Sequence, residues 1–143
     1  MTAHIYDENN IFAKILRGEL DSIKFYEDQQ ALGIMDIMPE SNGHCLILPK
    51  AKARNILDVS PEVLRTIILL IQKTSRACMK TFKADGISIM QYNEKAGGQT
   101  IFHLHFHIIP RFNNKTLNLH NSKAVDLNLL NAQAKSLKAI LEA

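Results

Sequence analysis

His103-Leu104-His105-Phe106-His107-Ile108-Ile109 alternates imidazole with hydrocarbon. In an extended strand successive side chains point to opposite faces. The pattern therefore predicts Leu104, Phe106 and Ile108 in a core and three imidazoles on the other face, with neighbours about 6.5–7 Å apart. The strand is expected to span Phe102–Ile109 and to end at Pro110, which has no N–H for a ladder.

Working outward, Lys95-Ala96-Gly97-Gly98-Gln99-Thr100 lies immediately upstream, inside a loop Glu94–Thr100 that joins a strand Ile87–Tyr92 to the histidine strand. Adjacent glycines allow backbone amides to turn toward an anion. Before these, Ser60-Pro61-Glu62 opens a long helix with a side-chain acceptor, a proline pre-set for the first turn and an acidic residue suited to the dipole. Its stripe Val63, Ile67, Ile71, Thr74, Cys78 and Phe82 faces a core. Ile23–Tyr26, Ala31–Ile37 and His44–Leu48, separated by Gln29-Gln30 and Pro39-Glu40-Ser41-Asn42-Gly43, read as consecutive antiparallel strands. Ile11 to Arg17 followed by Gly18 reads as a short helix. Arg111 to Ser122 is polar and irregular, and Asp126 to Leu141 resumes helical spacing. The order predicts an α+β fold with a largely antiparallel, five-stranded sheet.

The 143 residues suit one domain over 1–143, with a core of about 11–112 and a C-terminal tail and helix over 113–143. A chain of this length buries roughly 68–70% of its unfolded surface and needs no staple to fold. A net charge of +3 suits an anionic small ligand and falls short of the basic footprint of a nucleic-acid binder. Met1 to Asn10 carries no apolar stretch of signal-peptide type, and Ile67 to Ile71 is too short to cross a bilayer. Cys45 and Cys78 are isolated, in no metal or redox spacing, and read as free thiols of a reducing cytoplasm rather than a disulfide.

Three alternating histidines admit a bland reading, a strand whose polar face happens to be imidazole. They also admit two chemistries. A catalytic zinc needs three protein ligands and an open position, and a non-haem iron needs a carboxylate beside two histidines. Three histidines along one strand span too far to converge on one ion, and no Asp or Glu occurs between Glu94 and Asp126. That interval holds Lys95, Arg111, Lys115 and Lys123 instead, which favours phosphorus chemistry over metal ligation. A neutral imidazole whose far nitrogen is held can attack phosphorus, and His105, with an imidazole on each side, is the natural nucleophile.

These residues resemble the histidine triad (HIT) superfamily of nucleotide hydrolases and transferases. Its signature, histidine–apolar–histidine–apolar–histidine–apolar–apolar, is matched at every position by His103 to Ile109. The resemblance extends over roughly Ile11 to Phe112: Ile11-Phe12-Ala13-Lys14-Ile15-Leu16-Arg17-Gly18-Glu19, Asp36-Ile37 with Pro39, Gly43-His44-Cys45-Leu46-Ile47-Leu48-Pro49-Lys50, and Asn93-Glu94 through Thr100 follow in the family's order. It implies a HIT-like fold and a nucleotidyl-histidine intermediate on His105, with His103 and His107 orienting the ring and the phosphate oxygens and His44 in support. It further implies phosphate or leaving-group contacts from Asn93, Gly98, Gln99 and Thr100, a ribose acceptor in Asp36, and a base slot of Phe12, Ile15, Ile34 and Ile37. The implied substrate is a purine nucleoside phosphoramidate of the adenosine 5'-phosphoramidate type, with a dinucleoside polyphosphate, or a nucleotide-binding regulatory or protein-interaction role, as alternatives. No cofactor is implied, and a homodimer that joins its sheets is.

Two departures are visible. Some bacterial members hold a structural zinc partly through cysteines near the first helix, where this chain has Asn10-Ile11-Phe12-Ala13, and Lys52 stands where they have histidine. Thr100 replaces the serine usual in the phosphoramidase branch. His4 and His120 match no motif and read as surface residues.

Overall fold

In the computed structural model, which describes residues 5–118 and 125–143, both faces of the central strands are covered. Strands β2 (Ala31–Met35) and β3 (Cys45–Pro49) are buried at every position. Their side chains alternate between two clusters. Ala31, Met35, Cys45 and Ile47 join the larger core, and Leu32, Ile34, Leu46 and Leu48 join a second one on the opposite face. Helices α2 (Pro61–Phe82) and α3 (Leu127–Glu142) supply the larger core, and the short α1 (Ile11–Leu16) supplies Phe12 and Ile15 to the second. His4, His120 and Lys123 lie outside the described residues.

The sheet has five antiparallel strands in the order β1-β2-β3-β5-β4, with β1 at Lys24–Glu27, β4 at Gly86–Met90 and β5 at Phe106–Arg111. β3 and β4 both run antiparallel to the intervening β5, so they are parallel to each other, and α2 is the crossover between them. Ser60 accepts from the Val63 amide as the N-cap of α2, and Pro61 occupies the first turn. Asp126 caps α3 through the Asn128 amide. Among the described residues no helix is long and apolar enough to cross a membrane. Cys45 and Cys78 are buried free thiols whose sulfurs touch across the larger core at 3.8 Å.

Two expectations for the histidine strand are corrected. β5 begins at Phe106, not Phe102, and it continues through Pro110 to Arg111. Pairing with β3 stops at Ile108, so Pro110 stands where β5 has a strand neighbour only in β4, and its missing donor is tolerated as on an edge.

The turn before β3 depends on Gly43, at φ +88, where a Cβ would fall 2.5 Å from the Phe82 ring. Both the left-handed backbone and the aromatic contact exclude a side chain. Gly43→Ala should lower the unfolding free energy in urea by about 1 kcal/mol or more. Gly86→Ala, with open space around its Cβ, should cost less.

Candidate active site

His107 lies on β5 opposite Leu46 and projects to the face that carries α1. His103 and His105 precede the strand, in an irregular stretch anchored where the Leu104 amide donates to the Ala53 carbonyl at 2.8 Å. Leu104, Phe106 and Ile108 are buried as expected, but the three imidazoles do not form one row. The His105 and His107 ring centroids are 5.2 Å apart, and His103 is completely buried. His103 is thus placed to shape His105 and has no surface for a phosphate oxygen.

The hydrogen bonds assign a tautomer to each ring, because a carbonyl only accepts and a backbone amide only donates. His105 Nδ1 is 2.6 Å from the His103 carbonyl, so Nδ1 carries the proton. Burial holds the His105 pKa below the ordinary imidazole value, opposed by that bond to His103. The ring is therefore neutral near pH 7, with its Nε2 lone pair unprotonated. His103 Nε2 donates to the Pro49 carbonyl at 2.8 Å, leaving Nδ1 to accept from the Tyr6 hydroxyl. Burial pushes His103 down to about 4. His44 Nδ1 accepts from the Glu40 amide at 3.0 Å, so its proton sits on Nε2, 2.9 Å from His107 Nδ1. His107 then presents Nε2–H. The pair offers a lone pair from His105 beside a donor from His107.

Both rings line an open cavity of about 330 Å³ together with Glu40, Tyr92, Gly98, Gln99 and Thr100. The glycine loop differs from expectation. Lys95–Gly97 forms a 3-10 turn in which the amides of Gly97 and Gln99 bond to the Glu94 carbonyl and that of Gly98 to the Lys95 carbonyl. These amides close the turn instead of facing an anion. The Gln99 side chain is buried and fully engaged, donating to the carbonyls of Arg54 and Ile101 and accepting from Asn55 Nδ2 and the Glu94 amide. Asn93 Oδ1 accepts from the Ile56 amide and from Gln91, and its Nδ2 donates to Gln91. Thr100 is exposed on the cavity wall.

Asp36 lies beside two of the histidines. Its Oδ1 accepts from the Met38 amide at 2.8 Å and its Oδ2 is 3.4 Å from His44 Nε2. Phe12, Ile15 and Ile34 pack together in the second core, and the Phe12 ring meets His105 edge-on at 4.7 Å. Ile37 is 52% exposed. Arg111 and Lys115 line a separate cavity of about 370 Å³ that shares Glu40 with the histidine cavity.

Asp36, His44 and His107 each offer a ligand atom within 4.8 Å of the others, a carboxylate-and-two-histidine set that the sequence did not show. It fits a metal poorly, because His44 Nε2 carries a proton directed at His107 Nδ1. At the positions of the bacterial structural zinc, the Asn10 side chain caps α1 and Lys52 pairs with Glu8 at 2.8 Å. Neither side chain is a thiolate or an imidazole, and each is engaged by its own neighbours.

Residues 17–114 match the HIT domain family, and the chain belongs to it. An adenosine 5'-monophosphoramidase from Schizosaccharomyces pombe, hnt1, is 34% identical over 103 residues, 72% of this chain and 74% of that protein. An adenylylsulfatase from Arabidopsis thaliana, HINT3, is 40% identical over 101 residues, 71% of this chain and 51% of that one. A crystal structure of a Hit-like protein involved in cell-cycle regulation from Bartonella henselae superposes with a TM-score of 0.91 at 44% identity, covering 96% of this chain and 99% of that one. The antiparallel sheet with its helices is therefore the HIT-like fold.

Sequence reading missed the loop's supports. Glu94 takes a bidentate pair from Arg54, at 2.7 and 2.9 Å, and a bond from Asn55 Nδ2 at 2.6 Å. No spacing signal links residues 40 positions apart. The Glu40 amide and Tyr6 were equally silent.

The burial of His103 gives a pH signature. Unfolded, it gains a proton below about pH 6.5; folded, it stays neutral down to about 4. Its contribution is present above pH 6.5 and is lost as pH falls through 4, up to about 3 kcal/mol. Urea unfolding at stepped pH should show that decline, and His103→Asn, which cannot titrate, should show a shallower one.

Proposed function

We propose that the protein is a nucleotidyl hydrolase that cleaves purine nucleoside phosphoramidates at the α-phosphorus through a nucleotidyl-His105 intermediate. The observation that carries this reading is the bond from His105 Nδ1–H to the His103 carbonyl, which leaves the opposite nitrogen as an unprotonated nucleophile beside the cavity. His105 Nε2 bonds to phosphorus as the bond to the leaving nitrogen breaks, and that nitrogen departs with a proton. Water then attacks, loses a proton, and releases the nucleotide with neutral His105 restored. His107 Nε2–H binds a phosphate oxygen and, with Thr100, handles the protons. Asn93 keeps one amide hydrogen for the substrate. Asp36 accepts from the ribose hydroxyls, and the base lies against the apolar patch around Phe12, Ile15, Ile34 and Ile37.

The cavity's charge favours an amine over a polyphosphate as leaving group. No lysine or arginine is among the described residues that line it, and Glu40 adds an acidic side chain. A polyphosphate would bring several negative charges to a wall whose described residues supply no lysine or arginine, whereas an amine brings none. The S. pombe relative's name as a phosphoramidase agrees with this choice. We also propose a homodimer formed through β4, which ends the sheet as an open edge and carries the exposed Ile89.

Adenosine 5'-phosphoramidate should be turned over faster than diadenosine polyphosphates when the two are assayed side by side. His105→Ala should lower its kcat/KM by at least about 1,000-fold while AMP still binds. Unchanged turnover in that variant contradicts the mechanism, and a preference for the polyphosphate contradicts the leaving-group assignment.

A further inference from the structure

Tyr6 lies ahead of the residues that match the HIT domain, in the segment leading to α1. Its hydroxyl meets His103 Nδ1, and its ring packs edge-on against the imidazole, with centroids 5.7 Å apart. We propose that Tyr6 is a positioning residue for the nucleophile: by donating to His103 Nδ1 it locks the ring whose own backbone carbonyl holds His105 Nδ1–H. This rests on the reading of His105 as the nucleophile.

The geometry makes His103 a strut clamped at both nitrogens. Its Nε2–H is bound to the Pro49 carbonyl at 2.8 Å, on the last residue of β3, and its Nδ1 is bound to Tyr6. The ring is completely buried, so with Tyr6 in place its Nδ1 meets no bulk water. An unpaired Nδ1 there bears the full desolvation penalty of a buried acceptor, and the ring relieves it only by turning or changing tautomer. Either movement disturbs the Pro49 bond and the backbone at residue 103. That backbone carbonyl sets the direction of the His105 ring through a 2.6 Å bond, so the nucleophile turns with it.

Tyr6 is itself fixed from the same side. Asn10 caps α1 by accepting from the Ala13 amide at 2.8 Å and donates to the Asp7 carbonyl at 2.7 Å. The segment between Tyr6 and the helix is thereby folded into a turn. Phe12, on the first turn of that helix, touches both His103 and His105. The segment and the helix form one clamp on the two rings. Tyr6 supplies its only polar grip on His103 among the described contacts.

Tyr6→Phe tests this, because it keeps the ring contact and removes only the hydroxyl. With adenosine 5'-phosphoramidate, kcat should fall about 10-fold, within the range of a small misplacement of a reacting group, while KM changes less than about twofold. In 15N-correlated imidazole spectra, His103 of the unmodified protein should show a single Nε2–H tautomer with a hydrogen-bonded Nδ1, and the variant should lose that signature. An unchanged kcat, or unchanged His103 resonances, overturns the proposal. Should Tyr6→Phe not fold, difluorotyrosine at position 6 retains the ring and ionises more readily. Its kcat should fall on the alkaline side where the unmodified protein's does not, and matching profiles overturn the proposal. Failure of the underlying reading shows separately, as turnover surviving in His105→Ala.

Discussion

The bond between His105 Nδ1–H and the His103 carbonyl is the constraint around which the site is organised. It fixes a tautomer, and burial keeps the ring uncharged. For the bond to point correctly, residue 103 must be immobile, and the fold immobilises it from two sides. β3 offers the Pro49 carbonyl to the His103 ring, and the N-terminal segment offers the Tyr6 hydroxyl. The irregular stretch before β5 follows from this demand. A regular strand would have put all three imidazoles on one face, and none would have been available as a buried support.

A second chain of bonds starts at the loop between β2 and β3. Gly43 turns the backbone so that the Glu40 amide caps His44 Nδ1, and the proton displaced to Nε2 faces His107. His107 consequently acts as a donor where His105 acts as a lone pair. Two chemically identical side chains, two residues apart, acquire opposite roles from backbone groups that neither sequence position announces.

Much of the architecture was legible beforehand, since it rests on periodicity. The strands β2 and β3 read as continuous apolar runs, α2 as a stripe opened by Ser60-Pro61, and α3 as a spaced leucine pattern, and each stands within two residues of expectation. The start of β5 was misplaced because alternation persists through His103 and His105 even where no strand partner exists. The arrangement of the glycine loop was not legible because Gly97-Gly98 permits several backbone conformations, and the choice is made by Glu94, Arg54 and Asn55, which local sequence cannot connect. The proximity of Asp36 to His44 was not legible, because linear separation conceals the turn that brings them together.

The central claim is that His105 Nε2 forms a covalent bond to phosphorus. Acid-quenching the protein within its first turnovers of an adenosine phosphoramidate, then mapping peptides by mass spectrometry, tests it directly. The account predicts a nucleotidyl adduct confined to His105 that disappears as substrate is exhausted. An adduct on another residue, or steady turnover with no adduct at any quench time, would contradict it.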